Sequence, residues 1–183
     1  MESPRSRAAD RYRSAQGVKD VRIRGATFPE DASLVRSVFL EYAEEISIDL
    51  GFQCFEDELA ELPGGYAKPK GGVWLAEADD VVAGCVALRS LSDTVAEMKR
   101  LYVRRALRGQ RIGFALVEHV LMIAAGMGFQ RVCLDTLPEM QEANALYRSL
   151  GFTEIEPYYC NPIPGAVFLQ RILAEQSNAA DSR

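Results

Sequence analysis

Between Glu97 and Gly113 the chain reads EMKRLYVRRALRGQRIG, and this segment restricts the fold more than any other. A strand ending in Leu101, Tyr102 and Val103 runs into a basic loop. The loop passes through Arg108-Gly109-Gln110-Arg111-Ile112-Gly113 into a helix. Backbone N–H groups at a helix start lack intrahelical partners and sit at the positive end of the dipole, so they bind anions. Glycine lets the backbone come close to such an anion. From Met98 to Val117 there is no acidic residue, while Lys99, Arg100, Arg104, Arg105, Arg108 and Arg111 all fall there. In a chain of net charge −5 that local excess suits a polyanion such as a pyrophosphate. A helix cap ringed by surface arginines accounts for the same spacing. The Gly-Lys-Ser/Thr of a Walker A loop is missing, and Gly109 and Gly113 are wrongly spaced for a dinucleotide fingerprint.

The flanking pattern alternates between periods of two and 3.6. Val21–Arg24 predicts a strand. Pro29-Glu30-Asp31 opens a helix that carries Val35, Val38, Phe39, Tyr42 and Ile46 on one face. Residues 55–62 form a short helix stopped by Pro63-Gly64-Gly65. Residues 73–78, 81–91 and 95–103 read as strands, the first two joined by an acidic hairpin turn at Asp79-Asp80. A long helix follows over 109–127, a strand over 131–136, and a helix within 138–150 closed by Gly151. Residues 152–155 and 166–172 finish as strands. The order β-α-α-β-β-β-α-β-α-β-β predicts a mixed α/β sheet with helices packed on it. A length of 183 residues fits one domain, expected over 21–173. Residues 1–20, basic and poor in large apolar side chains, and 174–183 read as tails; an organellar transit peptide is an alternative for the first.

Downstream, Ala143-Asn144-Ala145-Leu146-Tyr147-Arg148-Ser149-Leu150-Gly151-Phe152 forms a second motif. Together the two segments resemble the GNAT superfamily of N-acetyltransferases. Arg108–Leu116 is similar to that family's Q/R-x-x-G-x-G/A loop, which wraps the pyrophosphate of CoA. Leu101-Tyr102-Val103 resembles its splayed strand, whose backbone pairs with the pantetheine arm. Ala143–Phe152 resembles A-x-x-L-Y-x-x-x-G-F. The resemblance runs over about residues 21–172 and implies a mostly antiparallel sheet flanked by helices. It also implies acetyl-CoA as co-substrate, held by Leu101, Tyr102, Val103, Arg108, Gly109, Gln110, Arg111, Ile112, Gly113, Phe114 and Ala143. Three positions depart from the pattern. Arg111 replaces a glycine, so its side chain must point outward or the loop must adjust. Arg105 replaces a proline, and Met140 replaces an asparagine, which Asn144 does not restore.

Amine acylation needs a base for the ammonium and an acid for the leaving thiolate. Glu97 lies where histone-type members carry their glutamate base, and a solvated acid paired with Lys99 is its bland alternative. Strict alternation puts Glu97, Lys99, Leu101 and Val103 on one face, with Arg100 opposite, free for an acceptor carboxylate. Tyr147 matches the family tyrosine beside the CoA sulfur, and a phenol can protonate a thiolate; a packed helix tyrosine is the alternative. His119, the single histidine, reads as a half-exposed helix residue.

The acceptor is less legible. Residues 30–61 hold ten carboxylates against Arg36, an acidic wall for a cationic amine or a solvated helix face. Tyr66, Tyr158, Tyr159 and Asn161 sit in loops that could line the acceptor cleft. The leading expectation is acetyl transfer to a primary amine of a small molecule. A protein or peptide amine acetyltransferase and a non-catalytic acyl-CoA sensor are the alternatives. The acidic balance argues against nucleic acid as a partner. Cys54, Cys85, Cys133 and Cys160 lack metal-ligand spacing, so no metal is expected. No apolar run is long enough to span a bilayer. A cytoplasmic enzyme without a membrane partner is the resulting expectation, with a homodimer as one arrangement open to it.

Overall fold

The computed structural model describes residues 11–12, 21–46 and 50–173. Among these, β1 (Arg11–Tyr12), β2 (Val21–Gly25), β3 (Gly72–Ala78), β4 (Val81–Ser90), β5 (Val95–Val103), β6 (Arg131–Thr136), β7 (Thr153–Ile155) and β8 (Val167–Ile172) form one sheet in the order β1-β2-β3-β4-β5-β6-β8-β7. Every neighbouring pair is antiparallel except β5 and β6. Four helices flank it: α1 (Ala32–Ile46), α2 (Phe55–Ala60), α3 (Ile112–Gly126) and α4 (Gln141–Ser149). The element order is the expected one, preceded by the two residues of β1. The rest of the expected tails lies outside the described residues.

Alternation along the strands builds two cores, one on each face. Trp74, Ala76 and Ala78 of β3 pack under α3 with Val86 and Leu88 of β4. Val73 and Leu75 point the other way, under α1, with Cys85 and Ala87. α1 meets its core through Val35, Val38 and Phe39, the i, i+3, i+4 stripe of an amphipathic helix. α3 is apolar nearly all round and buries Ile112, Ala115, Leu116, Val117, Val120 and Ala124. Each large side chain so buried contributes about 1.5–3 kcal/mol.

Local chemistry fixes three junctions. Asp79 and Asp80 join β3 to β4 with φ of 50° and 60°, the left-handed pair that a two-residue turn needs to match strand twist. The expected start of α3 at Gly109 moves to Ile112. Gly109 has φ 76° and Arg111 φ 59°, and neither can sit inside a right-handed helix. The strict alternation expected along β5 also fails. Arg100 has φ 56°, and the register with β4 slips between Cys85 and Ala87. This bulge turns the strand over. Lys99 faces the α1 side opposite Ala87, whereas Leu101 and Val103 pack toward α3. Arg100 therefore lies on the same face as Glu97 and Lys99. Gly84 stands beside the bulge, where a Cβ would meet the Tyr102 carbonyl oxygen at 2.2 Å.

Candidate active site

Pairing between β5 and β6 stops early. Val95, Ala96 and Glu97 pair with Arg131, Val132 and Cys133, and beyond them the strands diverge. Leu101, Tyr102 and Val103 thus turn their β6-side backbone into a cleft of about 1040 Å³. Arg108, Gly109, Arg111, Ile112, Gly113 and Phe114 form one wall of it, and Ala143 with Leu146 of α4 forms another. Every residue expected to hold CoA lines this cleft except Gln110. Among the described residues no side chain caps the start of α3. Ala115 N–H bonds to the Arg111 carbonyl, which leaves the N–H groups of Ile112, Gly113 and Phe114 as the helix's unpaired donors. Arg111 keeps the left-handed backbone of a glycine, and its exposed guanidinium lies over the Phe114 ring, 4.6 Å from the centroid. The cleft fits an extended anion with an apolar arm: donors at one end, an unpaired strand edge along its length.

The basic run is less available than its sequence suggests. Arg104 forks onto Glu41 at 2.8 and 2.6 Å, and Arg108 pairs with Glu45. Arg100 forks onto Glu58 at 2.9 and 2.7 Å and also reaches Gln53. Carboxylates of α1 and α2 thus clamp β5 and its loop, instead of standing as a wall before an acceptor. With its guanidinium 1% exposed and over the Phe55 ring, Arg100 is fully engaged and holds no acceptor carboxylate.

Glu97 is fully buried. Its Oε1 accepts the Tyr158 hydroxyl at 2.8 Å and its Oε2 accepts Arg89 at 2.6 Å. It lines neither the large cleft nor the small cavity beside it. Lys99 pairs not with Glu97 but with Asp135 of β6, 3.8 Å away. Asp135 accepts the Tyr159 hydroxyl at 2.8 Å and the Asn161 amide at 3.1 Å. The run Tyr158-Tyr159-Cys160-Asn161 therefore supplies three donors to two strand carboxylates, and its rings pack on Phe168. Sequence reasoning missed Asp135 and Arg89. A charge at the fifth residue of the otherwise largely apolar β6 was the available signal for Asp135.

Tyr147 projects from α4 into the core between these groups, its ring 5.6 Å from that of Phe152. It lines a cavity of about 50 Å³ at the β5/β6 divergence, with Lys99, Leu101, Asp135, Thr136 and Met140. Its hydroxyl makes no hydrogen bond among the described residues, and burial pushes the phenol above its ordinary range. Asn144 is spent on the Leu137 carbonyl at 2.7 Å. His119 is half-buried, edge-on to Trp74. All four cysteines are free thiols. Among the described residues no acid, histidine and cysteine group could hold a metal, and no helix is long and apolar enough to cross a membrane.

A sheet parted between two parallel strands, with an uncapped helix start at one end and a buried phenol at the other, defines an acyl-CoA-dependent N-acyltransferase. The chain belongs to the Acetyltransferase (GNAT) family, whose model matches residues 35–152. It is 37% identical over 153 residues to an uncharacterised N-acetyltransferase of Schizosaccharomyces pombe, covering 82% of this chain and 94% of that one. It is 30% identical to the uncharacterised N-acetyltransferase YjgM of Escherichia coli, covering 70% and 77%. A GNAT acetyltransferase structure from Staphylococcus aureus superposes with a TM-score of 0.71 at 21% identity, covering 84% and 99%. A GNAT acetyltransferase from Elizabethkingia anophelis with acetyl-CoA bound gives 0.57 at 19% identity, covering 84% and 98%. The family makes this chain an acyl-CoA-dependent acetyltransferase.

Proposed function

We propose that the chain moves an acetyl group from acetyl-CoA directly to a primary amine of a small molecule, with Tyr147 as the acid for the leaving thiolate. The observation that carries this reading is the Tyr147 phenol, buried, free of hydrogen bonds among the described residues, and lining the small cavity next to the cleft. Bound acetyl-CoA supplies an activated thioester. The N–H groups of Ile112, Gly113 and Phe114 hold its pyrophosphate, and the free edge of Leu101–Val103 pairs with its amide arm. Leu146 and Ile112 keep water from the arm. Tyr147 gives its proton to the departing sulfur and, being held above its ordinary pKa, remains a donor across the neutral range. Glu97, expected as a base acting directly or through a water, has both oxygens engaged and serves to position Tyr158 and, through it, Tyr159. A small acceptor fits the confined cavity, lined by Tyr42 and Tyr147, better than an open peptide groove does. Residues 21–173 act as one catalytic domain.

The test is thiol release from acetyl-CoA over a panel of small amines, amino acids, polyamines and peptides. Release with a small amine, and not with peptides, is the expected outcome. Release only with peptides overturns the acceptor class.

A further inference from the structure

Among the described residues the ion pairs made by β5 side chains are short, with one exception. Arg89–Glu97 closes at 2.6 Å and Arg100–Glu58 at 2.7 Å, each with direct hydrogen bonds. Lys99 and Asp135 stand 3.8 Å apart with no hydrogen bond between them, although the Lys99 side chain is only 5% exposed and that of Asp135 14%. Buried charges are costly when they are not closed by hydrogen bonds. The two oxygens of Asp135 also differ. Oδ2 is held by Tyr159 and Asn161, while among the described residues Oδ1 has only the distant Lys99 ammonium. Both residues line the small cavity that Tyr147 lines from the α4 side. A cavity of about 50 Å³ admits a group the size of a water or an amine head.

We infer that Asp135 is the carboxylate that receives the acceptor ammonium on Oδ1 and takes its proton before acyl transfer, a role the sequence had pointed to Glu97 to fill. The inference rests on the acetyl-transfer reading. The groups around Asp135 are Lys99, Glu97 and Arg100 on β5, Tyr147 on α4, Tyr42 on α1, and Tyr158, Tyr159 and Asn161 on the loop before β8. Burial pushes the Lys99 ammonium toward its neutral form, the direction that makes room for a second cation beside Asp135. In the reaction the ammonium passes one proton to Asp135 and becomes a nucleophile. Its lone pair forms the C–N bond while the C–S bond breaks. The nitrogen sheds a second proton, which balances the one that Tyr147 gives the thiolate and must regain. One ammonium and one thioester yield one amide, one thiol and one proton, which leaves from Asp135.

The experiment compares two acceptors of equal chain length on the full chain: an alkylamine, protonated at neutral pH, and an alkoxyamine, neutral there. Asp135→Asn should lower kcat/KM for the alkylamine by at least about 100-fold, the ordinary worth of a general base. The loss on the alkoxyamine should be at least about tenfold smaller, with the acetyl-CoA thermal shift retained. Tyr159→Phe keeps the ring against Phe168 and should show the same selectivity in weaker form, which covers a misfolded Asp135→Asn. Equal losses on both acceptors, or none, in the folded variant overturn the inference while leaving the transferase reading intact. Absence of transfer by the unaltered chain to every amine overturns both.

Discussion

The Tyr158 hydroxyl donates to Glu97 Oε1 at 2.8 Å across 61 residues of chain, tying the loop before β8 to the middle of β5. The same loop then reaches Asp135 through Tyr159, so a single contact sets the geometry of both carboxylates. Tyr158→Phe should leave the fold intact and lower turnover several-fold. Glu97→Gln weakens the Arg89 pair as well and should cost about 3 kcal/mol of stability, near the lower end for a broken buried pair because Arg89 is 38% exposed. Denaturant unfolding of both variants and their double mutant checks this. A coupling energy below about 0.5 kcal/mol contradicts the shared network.

Arg100 holds a left-handed backbone that costs an L-residue about 1–2 kcal/mol, and its fork onto Glu58 stabilises that state. Glu58→Gln leaves a buried guanidinium short of its counter-charge and should destabilise the fold by about 3–5 kcal/mol. Because the bulge aims Leu101–Val103 at the cleft, acetyl-CoA affinity should fall with it. Unchanged melting and unchanged affinity contradict the role given to the bulge.

Gly84 is required by contact with the bulged strand. Gly84→Ala drives a methyl into the Tyr102 carbonyl, and because the close neighbours are all β5 backbone there is little room to relax. A loss of about 1–3 kcal/mol in thermal or denaturant unfolding is expected. A neutral result means that β4 and β5 can separate freely there.

These contacts mark how far the sequence could be read. The element order, the hairpin at Asp79-Asp80 and the glycine-bearing loop before α3 were legible because each depends on neighbours in sequence. The bulge was not read: counting by twos put Lys99 and Leu101 on one face, although the two successive polar residues Lys99-Arg100 break the polar–apolar alternation, and the partners that hold the break, Glu58 and Gln53, lie 42 and 47 residues away. The basic run was visible as charge, but its destinations on α1 and α2 depend on packing. Asp135 showed in the sequence only as a charge in a largely apolar strand, because its partners, Tyr159 and Asn161, are brought beside it only when β8 returns next to β6.

Arg111 stands where the family pattern has glycine, with its guanidinium over the Phe114 ring. Arg111→Gly removes the left-handed strain and should change stability by no more than about 1 kcal/mol, since the lost ring contact offsets the gain. Acetyl-CoA affinity should stay within a few-fold. A drop of more than about tenfold by calorimetry shows that the side chain itself grips phosphate.

Burial raises the Tyr147 phenol above its ordinary value of 10.0, so the sign of its pH effect is set. The protonated form is favoured in the fold. Its contribution to stability is complete below about pH 10 and declines only as alkali rises through the elevated value. No activity limb between about pH 7 and 10 should belong to Tyr147. A basic limb in that window that vanishes in Tyr147→Phe contradicts its assignment as a buried acid.

The most direct measurement is thiol release by Tyr147→Phe beside the unaltered chain, on a confirmed amine acceptor, with acetyl-CoA affinity measured on both. The substitution removes one oxygen and keeps the ring against Phe152. Turnover should fall at least about tenfold, equivalent to about 1.4 kcal/mol of transition-state stabilisation, with acetyl-CoA affinity retained. The loss should shrink for a donor whose thiol leaves more easily. Full turnover in Tyr147→Phe contradicts the account and returns Tyr147 to the core as a packing residue.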